Sequence, residues 1–110
     1  MENVNIDELT SEQINFMLIL HSGNARSKVI QALREYREGR IEEADNLLVE
    51  AEKDLHVAHQ IHFKMVQQEA TGEKVEFALL LMHAEDHLMS TLSMKELVKE
   101  LLELFKIKKL

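Results

Sequence analysis

The chain has 110 residues, 30% of them charged and 5% aromatic, with a formal net charge of −7 and no Cys, Pro or Trp. So acidic a surface repels nucleic acid and anionic membranes, which argues against both as main partners. The missing Cys excludes disulfides and thiolate metal sites, and the longest apolar run, Phe77 to Met82, is far short of the ~20 residues that span a bilayer.

One domain covering residues 1–110 fits this length. Leu, Ala, Glu, Lys and Met dominate, and these side chains lose little rotamer freedom in a helix. Pro, the strongest helix breaker, is absent. The composition therefore predicts an all-α fold. Met1 to Asp7 hold no basic segment followed by an apolar one, so no signal peptide is expected and a cytoplasmic protein is the plain reading. Residues 1–8 are expected to be disordered or loosely packed.

The first predicted helix covers about 11–39. Thr10, three residues before Gln13, forms a capping-box pattern. An apolar stripe follows at Ile14, Leu18, His21, Ala25, Val29, Ala32, Leu33 and Tyr36, and Gly39 stops it after Arg34 and Arg37. The second helix is predicted over about 41–70. Ile41, Leu48, Leu55 and His62 share one heptad position, and Ala44, Ala51, Ala58 and Met65 share the other. Small Ala along that seam lets a neighbouring helix approach closely. Thr71-Gly72 ends the segment, and a third helix is predicted over about 75–108, where the basic tail Lys106 to Lys109 suits the negative end of the helix. Connections this short make sequential helices antiparallel, giving an up-down-up three-helix bundle.

The third helix carries an anomaly. Between Phe77 and Leu92 the only formal charges are Glu85 and Asp86. At 100° per residue the apolar side chains point in nearly every direction, and a helix that is apolar all round must be buried all round. Two partner helices cannot cover it, so a homo-oligomer centred on this stretch is expected.

Six His residues invite a chemical reading. His21 and His62 fall on core or seam positions and read as packed, hydrogen-bonded side chains. His56, His59 and His62 fan around their helix by ~60° per step, a poor arrangement for one metal ion. His83 and His87 differ, being an i, i+4 pair on one face with Asp86 between them. By spacing alone His-x-x-Asp-His is open to three readings: a metal site needing further ligands, a nucleophilic or acid–base His arranged by polar neighbours, or a polar patch satisfied across a subunit interface. Its place in the most apolar stretch favours function, because buried polar groups are costly.

Leu80-Leu81-Met82-His83-Ala84-Glu85-Asp86-His87-Leu88-Met89 resembles the active-site helix of the lactose/cellobiose-class IIA components (diacetylchitobiose included) of bacterial sugar phosphotransferase systems, which reads M-H-[AG]-Q-D-H-L-M. Gly23-Asn24-Ala25-Arg26-Ser27, Ala58-His59 and Glu69-Ala70-Thr71-Gly72-Glu73 agree as well, so the resemblance runs from about Gln13 to Phe105. It implies a homotrimer of three-helix subunits that accepts a phosphoryl group from the carrier protein HPr and passes it to a cysteine of a IIB component. His83 would be the acceptor and His87 a supporting residue. Asp86 would meet its two symmetry mates around one structural divalent ion on the threefold axis, for which Mg²⁺ suits an all-oxygen site. Arg26 is either a residue that steadies the phosphoryl group or a solvent-facing helical Arg.

The chemistry is reasonable for an imidazole, whose free ring nitrogen can attack phosphorus without a separate base. Such a transfer demands positioning and charge stabilisation more than covalent machinery. Two positions depart from the pattern. Glu85 stands in place of Gln, ~160° around the helix from His83, so it is expected to face another helix as a buried and paired carboxylate. His62 also stands where Gln is expected. The alternatives to a carrier are a helical metal-binding or scaffold protein built on the His-rich helices, and a regulatory homologue phosphorylated as a signal. The sugar is bound by the membrane component, so cellobiose, lactose and diacetylchitobiose stay open, with a slight lean to cellobiose-like sugars from Gly23-Asn24 and His83-Ala84.

Overall fold

The computed structural model describes residues 8–110. Three helices follow one another: α1 over Ser11–Arg37, α2 over Ile41–Ala70 and α3 over Leu79–Ile107. No strand forms among the described residues. The bundle measures 51 × 21 × 21 Å, so the helices run its full length. Most of the expectation for residues 1–8 falls on residues 1–7, outside those described.

Thr10 starts α1 as its spacing predicts. Its hydroxyl accepts from the Gln13 N–H at 3.1 Å, and the Thr10 N–H donates to Gln13 Oε1 at 2.9 Å. These reciprocal bonds satisfy two of the donors that a helix start leaves over. The other end closes two residues earlier than expected, at Arg37, because the Arg40 N–H folds back to the Glu35 carbonyl at 2.9 Å. That closure needs a left-handed residue, and Gly39 supplies it at φ 84°. Gly72, at φ 94°, ends α2 in the same way.

The Arg40 side chain also bonds the Glu35 carboxylate. Arg40, with a further hydrogen bond from Gln31, holds the Glu35 carboxyl below its ordinary value of 4.5. A lowered carboxyl contributes stability above that value and loses it as pH falls through the native one. Arg40→Ala is therefore expected to lower the thermal midpoint slightly near neutral pH, with the gap to the parent closing below about pH 4; melts across a pH series check this.

The core lies where the α2 heptads point. Ala44, Ala51, Ala58 and Leu48, Leu55, Ile61 are buried, facing Leu18, Ala25, Val29 and Ala32 of α1 and Leu81, Ala84, Leu88 of α3. Ile41, the first residue of the expected seam, is exposed. α1 packs closely against both other helices, whereas α2 and α3 approach each other less closely. Polar ties bridge that thinner seam: Lys106 Nζ donates to both Asp45 oxygens at 2.7 and 2.9 Å, and Lys99 Nζ to Glu52 at 3.3 Å. Lys106, predicted only to suit the helix end, is thus also an interhelical contact. At the same end Tyr36 packs on Phe105, with ring centroids 5.8 Å apart, and its hydroxyl donates to the Leu110 carbonyl.

The third helix begins at Leu79, not near residue 75. Ala78 is extended at φ −151°, ψ 148°, and residues 73–78 form a non-helical connection. Val75 and Ala78 are half-buried against the core, so packing accompanies the non-helical course of a segment whose residues raise no local objection to helix.

Candidate phosphoryl-acceptor site

α3 is held by Leu81, Ala84 and Leu88, which are buried and face inward. That anchoring fixes the directions of the other side chains. His83 and Asp86 are exposed, and His87 is half-buried. His83 and His87 meet as expected of an i, i+4 pair, their ring centroids 4.7 Å apart and their planes at 83°. His87 Nδ1 is shielded from solvent and has no hydrogen-bond partner. Its ring therefore packs against His83 and limits where that imidazole can turn. Asp86 Oδ1 accepts from the Ser90 hydroxyl at 3.2 Å.

The late start of α3 places His83 in the second turn. Helical side chains lean toward the N-terminus, and the N–H groups of the first turn have no partners within the helix. No side chain caps this end. An anion on His83 would therefore sit near the positive end of the α3 dipole.

The outer face of α3 is a largely apolar stripe, broken by Asp86, Ser93 and Glu100. Leu79, Met82, Met89, Leu97 and Leu104 are between 45% and 79% exposed, and their spacing keeps them within about 80° of arc. Asp86 lies in the middle of this stripe. His83 flanks it by about 80° on one side and Glu85 by about 80° on the other. The helix that reads as apolar all round thus has two separate apolar faces, one filled by α1 and α2 and one open.

Glu85 does reach another helix, but it is not the buried carboxylate that its apolar surroundings suggest. Its side chain is 44% exposed and accepts a hydrogen bond from His62 Nε2 at 3.3 Å. It sits at the edge of the thin α2–α3 seam, where solvent reaches it. The two departures from the resembled pattern are therefore partners, which no sequence spacing could show. His21 lies half-buried with Nδ1 3.8 Å from Asp54, whose carboxylate takes Lys28 Nζ at 2.7 Å. His56 and His59 are exposed, and His59 stacks on Phe63. Among the described residues no three His, Asp or Glu side chains of one chain converge to hold a metal. Arg26 is exposed. The parallel register set by Tyr36 on Phe105 places it level with Lys95, about three turns from His83, so it does not join the site within one chain.

The model of the lactose/cellobiose-specific IIA subunits of the phosphotransferase system matches residues 13–106. The chain is 67% identical over 108 residues to the oligo-β-mannoside-specific EIIA component of Bacillus subtilis, covering 98% of each. It is 35% identical over 103 residues to the lactose-specific EIIA component of Staphylococcus epidermidis, covering 94% of this chain and 97% of that one. The crystal structure of the cellobiose-specific enzyme IIA from Bacillus anthracis superposes with a TM-score of 0.85 at 45% identity, over 91% of this chain and 92% of that one. A solution structure of the diacetylchitobiose IIA–HPr complex superposes at 0.78 and 31% identity, over 92% and 98%. A family model spanning most of the chain and relatives aligned nearly end to end show that the protein belongs to the lactose/cellobiose-specific IIA family of the sugar phosphotransferase system.

Proposed function

We propose that this IIA component takes its phosphoryl group from phospho-HPr on His83 and delivers it to the cysteine of a IIB partner in the cytoplasm. The observation that carries the reading is His83 itself: a solvent-facing imidazole, oriented by His87 and set beside the uncapped start of α3. One ring nitrogen attacks phosphorus while the bond to the donor imidazole breaks. The α3 dipole stabilises the charge on the bound phosphoryl group, and exposure lets a second partner reach the same atom. HPr as donor is supported by the solved complex of a diacetylchitobiose IIA with HPr. No helix among the described residues is long and apolar enough to cross a membrane, which is compatible with work at the cytoplasmic side of a transporter.

The working unit is a homotrimer with three α3 stripes packed on a common axis. An apolar stripe of this length, with Asp86 near its start and Glu100 near its end as its two carboxylates, fits a parallel coiled-coil seam. On that axis three Asp86 side chains would converge. The Asp86 carboxylate fits a divalent ion such as Mg²⁺, since it is exposed, hard and oxygen-only, with one oxygen still open after the bond from Ser90. The ion would neutralise like charges at the axis and take no part in transfer.

The system served transports β-linked oligosaccharides. Curated relatives are named for oligo-β-mannoside, lichenan and lactose, and the 67% identity to the first favours sugars of the β-mannoside and β-glucoside kind over lactose. The test is a reconstituted relay. With phosphoenolpyruvate, enzyme I and HPr, each chain should gain one acid-labile phosphoryl group by intact mass and lose it on addition of a cognate IIB. A chain that stays unmodified while HPr is phosphorylated rules the carrier reading out.

A further inference from the structure

The His62–Glu85 contact has a consequence for transfer that neither residue has alone. Glu85 lies on the same turn of α3 as His83 but on the opposite flank, at the level of the molecule where an anionic group must arrive and stay. A free carboxylate there would repel both the incoming donor phosphate and the phosphoryl group once bound. Charges within a Debye length, about 8–10 Å, are only partly screened. The structure turns the Glu85 carboxylate away. It is drawn toward α2, into a cleft of about 450 Å³ that is also lined by Met65, Val66, Glu69 and Leu81. There the His62 Nε2–H donates to its Oε2 at 3.3 Å. The His62 side chain is only 15% exposed and so has little freedom to leave, whereas the Glu85 side chain, at 44%, could swing into solvent along α3 if released. Glu69, a second carboxylate on the same cleft, adds to the need for a donor at this spot.

We propose that His62 is a positioning residue for phosphoryl transfer, acting through Glu85. Its imidazole N–H holds the Glu85 carboxylate in the α2–α3 cleft and keeps it from swinging toward a phosphoryl site. The inference rests on His83 being the acceptor. In the threefold assembly it gains weight, because the Glu85 flank of one α3 lies toward the His83 flank of the next, so a released carboxylate would face a neighbouring acceptor.

The experiment measures the initial rate of phosphoryl transfer from phospho-HPr to the full-length chain at low and high ionic strength. His62→Leu fills similar space without a donor, and His62→Gln restores an N–H. The expected result at low salt is a roughly three- to tenfold slower rate for His62→Leu, near parental rates for His62→Gln and Glu85→Gln, and recovery in the His62→Leu/Glu85→Gln double variant. The deficit should shrink at high salt. Matching thermal melts show that each variant is folded. A His62→Leu rate equal to the parent, or a double variant as slow as His62→Leu, overturns the proposal while leaving His83 as acceptor. A parent chain that accepts no phosphoryl group from active phospho-HPr removes the acceptor reading, and this inference with it.

Discussion

Replacing His83 by Ala is expected to abolish phosphoryl uptake while leaving the fold intact. The side chain is solvent-exposed and buries no apolar surface of the core, so its removal should change stability by no more than about 0.5 kcal/mol. The chemical loss should be complete, because the group removed is the nucleophile and no other nitrogen occupies its place. His87→Ala separates acceptor from support. The edge-on packing of the two rings restricts His83, and losing it should slow uptake by roughly tenfold without changing its endpoint of one phosphoryl group per chain. Intact mass after a timed relay reads both. Persistent uptake in His83→Ala would move the acceptor role elsewhere, with His87 the first residue to test.

The second large effect is expected on assembly. Met89 is 45% exposed in the single chain, beside Asp86 on the outer stripe of α3. Met89→Asp should leave the isolated subunit folded and dissociate the trimer, since packing three copies would bury three added carboxylates at a cost of several kcal/mol each. Sedimentation should move from the mass of three chains to that of one. Asp86→Asn should act in the opposite sense. It removes the charge that requires a cation, so a chelator that weakens the parent assembly should leave this variant unaffected. A parent chain already sedimenting as a monomer would refute the threefold arrangement outright.

The architecture was legible because each local signal agreed with the next. Thr10 and Gln13 mark the start of α1, Gly39 and Gly72 punctuate the turns, and Ala44, Ala51 and Ala58 mark the tight seam. The start of α3 was not legible. Val75 and Ala78 are compatible with helix, and it is in the finished core that both pack in a non-helical connection. The apolar character of α3 was visible, but its division was not. Periodicity cannot separate an inward face from an outward one when both are apolar, and only the positions of α1 and α2 show that Leu81, Ala84 and Leu88 face in while Leu79, Met82 and Met89 face out. Glu85 was misjudged as buried for the same reason. The pairing of His62 with Glu85 depends on how two distant turns meet, and sequence distance carries no record of that.

The unequal seams of the bundle bear on how an acceptor becomes competent. α1 packs closely on both other helices, whereas α2 and α3 stand further apart and are bridged by side-chain ties from Asp45–Lys106 to His62–Glu85. The helix that presents His83 is thus the one with the least backing inside its own subunit and with an apolar face left open. In the proposed trimer its remaining support would come from its copies. By mass action, dilution would then loosen the acceptor helix before it loosens the α1–α2 pair, and neighbours would tighten it again. With that assembly, protein abundance itself would become a control on the relay: a cell with few copies would hold carriers that are folded but slack at the acceptor, and induction would make each copy more effective as well as more numerous.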